Sequence, residues 1–418
     1  MENDYRIENL KAIAANTEQP VYLFNADKFI RNFTDLQDAF RKIYPNTMIA
    51  YSYKTNYTPD ICNLVKELGG YAEVVSPVEY DIAKSVVGNF SDRIIYNGVL
   101  EGDIRKYIMH GSIVNVGSWK NLCKALDALA NEKIFAGNRQ TLGIRIAINE
   151  DSRFGFTEEE VQNIVQTANK RKTIISGVHC HVGGKRDIPT WINKTNTVIR
   201  IAKMIEEIQG KEIKYIDLGG HLFGRMSPEL KHQFDGHVPS FEEYAENVAT
   251  IVKESFEGRA NPPKLILEPG TALVADAVEI LASVKNVVIR KNGKRYATLD
   301  ISSYDCGMVA DYKNLPIVNI DRPNPCISHE YSVCGYTCME EDYINREYVG
   351  NLREGNVLMI KNCGAYSLSL KGGFIYPSIA MYRVNDQYEV MQEMKRANNI
   401  FDVLAGYRIG GKLCNQLQ

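Results

Sequence analysis

Between about residue 48 and residue 268 the chain alternates short apolar runs with longer stretches whose apolar positions recur every three to four residues. The short runs are MIAYSY (48–53), YAEVV (71–75), IIYN (94–97), SIVNV (112–116), TLGIRIAI (141–148), IISGVHCHV (174–182), YIDL (215–218) and LILE (265–268). Between them lie helical stretches such as DICNLVKEL (60–68), VEYDIAKSVV (78–87), EEEVQNIVQTANKR (158–171) and TNTVIRIAKMIEEIQ (195–209). Strands alternating with helices predict parallel βαβ units. Eight such units are the number that closes a (β/α)8 TIM barrel of roughly 250 residues. An open doubly wound sheet would need a glycine-rich nucleotide turn after its first strand, and the sequence has none there.

From about residue 276 the texture changes. Two strand-like runs flank Asn292-Gly293, a strong hairpin signal. YSVCGYTC, NVLMIKNCGAYSLSL, FIYPSIAMYRV and YEVMQE follow with little helix between them, so an all-β domain is expected after the barrel. The expected division is a barrel over 26–275 and a β-rich domain over 276–418 that takes in part of 1–25. The run PVYLFN (20–25) can join either. No internal repeat or low-complexity linker interrupts this plan.

Composition narrows the function classes. With 418 residues, 44% hydrophobic and 24% charged, the chain has the material for two folded domains and is not a disordered sequence. Lys plus Arg is 49 against 51 Asp plus Glu, without a basic run, which argues against a nucleic-acid binder. The polar start MENDYRIENLKAIAANTEQ is not expected to be a signal peptide, and no apolar segment approaches the ~20 residues of a membrane span. Nine scattered cysteines, an odd number, favour a reducing cytoplasm. Cys334 and Cys338 form a CxxxC pair without companion ligands at zinc spacing, so no metal is expected there.

In a barrel of this kind, chemistry sits at the C-terminal ends of the strands. At those ends the sequence places Lys54, Glu73, Asn97-Gly98, Arg145, His179 and His181 before Gly183-Gly184, Asp217 before Gly219-Gly220-His221, and Glu268 before Pro269-Gly270. Each has a bland reading. A lysine at a strand end usually points into water, an HxH pair usually packs in a core, and a Gly-Gly pair is usually an ordinary turn. Together they form a set. The two glycine turns let backbone N–H groups approach an anion. A lysine, an anion cradle, a carboxylate and a histidine around one mouth compose a pyridoxal 5'-phosphate site. A metal-hydrolase barrel also uses HxH, but it wants further histidines on later strands and an Asp at the last, where this chain has Glu268.

From about Tyr22 to Tyr382 the chain resembles the fold-type III pyridoxal-phosphate decarboxylases, the family of diaminopimelate, ornithine and carboxynorspermidine decarboxylases. The resemblance rests on YSYKTN around Lys54, YAEVVS (71–76), SRFGF (152–156), GVHCHVGG (177–184), IDLGGH (216–221), EPG (268–270), CMEED (338–342) and GAY (364–366). It implies an alanine-racemase-like barrel, a carboxy-lyase activity on an amino acid or amino-acid conjugate, and a cytoplasmic homodimer with shared sites and no nucleic-acid or membrane partner. By resemblance, Lys54 is the Schiff-base lysine, Glu268 the partner of the pyridine nitrogen and His181 the residue stacked on the ring. Cys338 is the thiol that reaches into the partner's site and protonates the product carbon. Glu73 and Arg145 are supporting residues near the lysine. Gly184, Gly219, Gly220, His221, Gly270, Thr271 and Tyr366 are cofactor contacts, and His179, Met339, Glu340 and Asp342 are substrate contacts.

The chain departs from the family at named places. The family usually has Ser at Gly184, Gly at His221 and Arg at Thr271, all near the phosphate. Ornithine and diaminopimelate enzymes usually carry an acid after the catalytic Cys. Here Met339 stands there, as an apolar residue does in carboxynorspermidine-type enzymes, and Met339 does not pair with a distal ammonium. Glu340 and Glu341 are the nearest acids that can reach instead. Two other readings use the same residues. One is an amino-acid racemase, which Glu268 and CMEED oppose because alanine racemases place Arg at the pyridine nitrogen. The other is a non-catalytic homologue that binds a partner, which Lys54, His181, Glu268 and Cys338 oppose.

Overall fold

The computed structural model describes residues 2–17, 20–88, 91–98, 102–131, 142–148, 151–321, 327–409 and 412–413. The chain divides into two compact units. One comprises Asn32–Phe223 and Gly236–Ala272. The other comprises Met1–Arg31, Gly224–Asp235 and Leu273–Gln418.

The first strand, Val21–Asn25 (β1), precedes eight strands that close a barrel. These are Thr47–Ser52 (β2), Tyr71–Val74 (β3), Ile94–Tyr96 (β4), Ile113–Val116 (β5), Leu142–Arg145 (β6), Gly177–Val182 (β7), Tyr215–Gly220 (β8) and Lys264–Leu267 (β9). All neighbours are parallel, and β2 pairs with β9 to complete the ring. The interior is graded. Ala50, Ile95, Ile113, Tyr215 and Ile266 form an apolar cluster. Tyr215 fits because Gly143 and Gly177 face it: an added Cβ would lie 2.2 Å from its hydroxyl and 2.3 Å from its ring. The Tyr215 hydroxyl donates to Asn115 Oδ1 (2.8 Å), and Asn115 Nδ2 donates to Asn97 Oδ1 (2.8 Å) and Asp217 Oδ2 (3.0 Å). Polar side chains thus begin inside the barrel already paired, as burial demands.

The helices begin where the sequence offers caps. Ser240 and Glu243 make a reciprocal capping box for Phe241–Ser255. Asp187 accepts from the Thr190 N–H at 2.8 Å and Pro189 follows, so the helix expected from residue 195 begins two turns earlier, as Ile188–Gln209. It ends at Gly210 with φ 64°. The run expected over 141–148 is a strand only over Leu142–Arg145; Thr141 lies outside the described residues. Beyond Arg145 the backbone pairs instead with the SRFGF segment, through an Ile146–Phe156 bridge.

In the other unit β1 is fully buried in a nine-stranded sheet. It runs antiparallel to Val278–Ile289 (β10) and parallel to Ala380–Val384. β10 and Arg295–Leu299 form the hairpin expected around Asn292-Gly293. The helix Glu2–Asn16, absent from the sequence reading, contributes Leu10 and Ile13 to this unit's core beside Val21, Leu23, Leu281 and Met359. The stretches 356–370 and 374–384 are strand only over Val357–Ile360 and Ala380–Val384. Asn362 and Tyr366 are left-handed, at φ 62° and 58°, and such residues cannot continue a strand. Among the described residues no helix is long and apolar enough to cross a membrane.

Candidate active site

β2 ends at Ser52 and passes into a single 3-10 turn, Tyr53–Thr55, that lifts Lys54 out of the strand register. Lys54 Nζ lies 3.0 Å from Glu73 Oε2, at the end of the adjacent strand. Glu73 is buried and also accepts from Ser52 Oγ (2.6 Å) and Asn97 Nδ2 (3.2 Å). Its carboxylate is therefore satisfied without the lysine. The Lys54 side chain pairs with Glu73 and, at 28% exposure, remains accessible.

Glu268 follows β9 with its side chain fully buried. His179 Nε2 lies 3.4 Å from its Oε1 and His181 Nδ1 lies 3.6 Å from its Oε2, both on β7. Asn97 also donates to Oε1. Burial opposes ionisation of this carboxyl, but His179, His181 and Lys54 outweigh it and hold Glu268 well below the usual carboxylate range. Asp217 goes the other way. Burial raises it, and the charges of Glu268 and Glu73 raise it further. One interior carboxyl is pulled below its ordinary range and its neighbour is pushed above it. Burial also pushes the His181 imidazole down, which leaves a neutral ring at the mouth.

Gly219, on β8, is required by close approach: a Cβ there would lie 2.1 Å from Glu268 Oε2 and 2.7 Å from His181 Nδ1. Gly220 has φ 126°, a conformation that L side chains rarely adopt, and a Cβ would meet the Val182 carbonyl at 2.6 Å. Gly184 is also left-handed, at φ 90°, but a Cβ there would meet open space. Thr271 opens the helix Thr271–Val274 directly after Gly270. Arg145 pairs in register with His179, and its guanidinium lies 4.9 Å from the Phe154 ring, which Arg153 also covers at 4.0 Å. The SRFGF segment thus seats Arg145 at the end of β6.

The resemblance makes His179 a substrate contact. It is buried beside Glu268, where it acts on the carboxylate. Three further residues escaped sequence reasoning. Asn115 links Asn97 to Asp217 across the interior. Trp191 Nε1 donates to the His221 carbonyl at 3.1 Å. Lys194 is buried to 1% exposure and donates to the Gly219 carbonyl at 2.6 Å. The available signal was a lysine three residues after Trp191, inside a buried helical stripe.

Cys338, Met339, Glu340, Asp342 and Tyr366 belong to the other compact unit. Cys338 is exposed, and so is Met339, whose sulfur accepts from the Tyr304 hydroxyl at 3.2 Å. Asp342 is buried and turned into its own loop. It accepts from the Ser303 N–H (2.8 Å), the Thr337 N–H (3.0 Å) and Thr337 Oγ1 (2.6 Å). Those bonds make it an anchor of the segment that presents Cys338 rather than a ligand-facing group. Glu340 is exposed and Tyr366 is half-buried.

His179, His181 and Glu268 offer ligand atoms within 4.8 Å of one another, so this geometry taken alone admits a cation as well as a ring nitrogen. The comparison with known families decides between them. The model described as "Pyridoxal-dependent decarboxylase, pyridoxal binding domain" matches residues 27–275. The chain belongs to the pyridoxal-dependent decarboxylases. Diaminopimelate decarboxylase of Methanothermobacter thermautotrophicus is 26% identical over 373 residues, covering 85% of this chain and 84% of that protein. The Aquifex aeolicus diaminopimelate decarboxylase is 25% identical over 392 residues, covering 88% and 86%. The crystal structure of the M. jannaschii enzyme in complex with L-lysine superposes with a TM-score of 0.82 at 24% identity, over 95% of this chain and 94% of that one.

The family's group is pyridoxal phosphate, and the residues present fit it. Lys54 offers an accessible amine. Glu268 Oε2 is buried with no hydrogen-bond donor among the described residues, as a carboxylate awaiting a ring N–H would be. Gly219 leaves free the space that a side chain would fill beside both Glu268 and His181.

The same electrostatics predict an acid-sensitive apoprotein. Burial, then the positive charges of Arg186, Lys54 and Lys194, push His221 from its ordinary 6.5 to about 4. Between those pH values the unfolded chain binds the proton and the folded chain does not, so stability falls as pH falls. His221 accounts for about 3 kcal/mol of that loss. Chemical denaturation of the apoprotein from pH 7 to 4 is expected to show a shallower slope in His221→Asn than in the wild type.

Proposed function

We propose that this pyridoxal-phosphate carboxy-lyase removes the α-carboxylate of an amino acid or amino-acid conjugate at the barrel mouth, with Lys54, Glu268 and His181 from the barrel and Cys338 from a second copy of the chain. The observation that carries this reading is the pairing of an accessible lysine amine with a fully buried carboxylate held ionised beside two histidines. Pyridoxal phosphate, when bound, supplies the sink for the electron pair left behind by departing CO2.

Each residue has a task within that frame. Lys54 would hold the cofactor aldehyde through its amine, which Glu73 keeps at the mouth. Glu268, held below the usual carboxylate range, would favour a proton on the pyridine nitrogen and so keep the sink at full strength. A racemase does better with a weaker sink, and the ionised Glu268 argues for decarboxylation. Neutral His181 offers a flat face for the ring without adding a competing charge. Cys338 delivers the proton to the product carbon, and Asp342 fixes its loop through three donors.

The shared dimer is supported by the exposure of Cys338 together with exposed Tyr304, Met339 and Phe374 in the same unit. Placement in a reducing compartment is supported by the free thiols of all seven described cysteines.

The test is CO2 release from purified protein across a panel of diaminopimelate, ornithine, lysine, carboxylated polyamines and acyl conjugates. Met339 makes bare distal ammonium groups poor partners, so ornithine and lysine are expected to turn over at least about tenfold more slowly than the best member of the panel. Exchange of the α-hydrogen with racemisation and no CO2 would replace this reading by the racemase.

A further inference from the structure

Lys194 sits on the helix Ile188–Gln209 in a stripe otherwise occupied by Trp191, Val198, Ile201, Ala202 and Ile205. A lysine at 1% exposure needs a reason, because burying an ammonium without a counter-charge is costly. Its Nζ donates to the Gly219 carbonyl at 2.6 Å and lies 3.0 Å from the Trp191 ring centroid. Among the described residues no carboxylate forms an ion pair with it. An ammonium has three donors, and this one spends one of them on protein. Burial pushes its pKa down to about 7, against the opposing pull of Cys180, Glu268 and Asp217.

The position of this cation indicates the missing anion. A Cβ on Gly219 would touch Glu268, and a Cβ on the next residue, Gly220, would lie 3.2 Å from Lys194 Nζ. The carboxylate for the ring nitrogen and the buried ammonium therefore lie on opposite faces of adjacent glycines at the end of β8. Trp191, one helical turn before Lys194, holds the carbonyl of His221 as Lys194 holds that of Gly219. In a trans peptide the N–H points opposite to the carbonyl, so the N–H groups of Gly220 and Leu222 face away from these two side chains. Pinning the carbonyls from one side orients the turn's donors to the other. Arg186 lies in the same electropositive surroundings of His221.

We propose that Lys194 supplies buried positive charge to the phosphate end of the cofactor site, from behind the Gly219-Gly220 end of β8. It is a binding and positioning residue, and the inference rests on the barrel holding pyridoxal phosphate. A phosphate dianion seated on the N–H groups at the end of β8 adds counter-charge to this ammonium, and the cation in turn favours phosphate over a neutral group.

The experiment uses the full chain stripped of cofactor, titrated separately with pyridoxal phosphate and with pyridoxal, which lacks the phosphate. Binding is read from protein fluorescence, without turnover. In the wild type the phosphate ester binds more tightly, and the ratio of the two dissociation constants measures the phosphate's share. Lys194→Met is expected to weaken pyridoxal phosphate about 10-fold, the scale of a buried charge acting through the backbone rather than by contact, while leaving pyridoxal within about twofold. Lys194→Arg is expected to restore most of the ratio, which keeps the test decisive should the Met variant fold poorly. A ratio unchanged in Lys194→Met, with both ligands weakened equally or not at all, would overturn the proposal and leave the cofactor assignment intact. A wild type that binds neither ligand would overturn both.

Discussion

Lys54→Ala is expected to abolish covalent retention of pyridoxal phosphate and to lower kcat/KM for CO2 release by at least about 1,000-fold. The argument is local. Lys54 is the residue that the 3-10 turn after β2 carries to the mouth, with an amine that is accessible and paired to a carboxylate which does not depend on it. Removing the amine leaves Glu73 with Ser52 and Asn97 as donors, so the barrel is expected to stay folded and the loss to be chemical. Lys194 cannot substitute. Its amine is buried and tied to the Gly219 carbonyl. Cofactor content after gel filtration, measured beside circular dichroism and CO2 release, checks the three parts of this expectation.

Glu268→Gln separates binding from chemistry. The glutamine has the same shape but no charge, so the cofactor is expected to remain attached through Lys54 while turnover falls about 100- to 1,000-fold, the usual scale for removing a preorganised electrostatic partner. The wild-type carboxylate is held ionised against its burial by His179, His181 and Lys54. A glutamine cannot stabilise a protonated ring nitrogen in that way. Steady-state CO2 release at matched cofactor content is the measurement. A variant within about threefold of the wild type would show that Glu268 does not carry the role given to it.

The barrel was legible in the sequence because its strands are short, parallel and buried on both faces, so each reads as a compact apolar run. The strand ends were legible for the same reason: once β2, β3 and β9 are placed side by side, Lys54, Glu73 and Glu268 fall at or just beyond their C-terminal ends. What the sequence concealed depends on contacts across the fold. Asn115 reads as a polar interruption of SIVNV until β5 stands between β4 and β6, where it bridges Asn97 and Asp217. Lys194 reads as a helix-surface lysine until the strand after its helix brings Gly219 beneath it. Asp342 fits a ligand spacing in CMEED, yet its oxygens are taken by Ser303 and Thr337, and Ser303 is remote in sequence. The segment around GAY misled as a strand because its residues are apolar enough. Left-handed Asn362 and Tyr366 break it, and such dihedrals leave no compositional trace. The helix Glu2–Asn16 escaped because a largely polar sequence needs only a narrow buried edge, including Leu10 and Ile13, to dock.

The most direct test of the central claim is to reduce the purified protein with borohydride, digest it and map the fixed cofactor by mass spectrometry. The account predicts a single pyridoxyl-modified peptide, with the modification on Lys54. A modification on any other lysine, or a colourless protein that carries zinc at His179, His181 and Glu268 and yields no modified peptide, would contradict it.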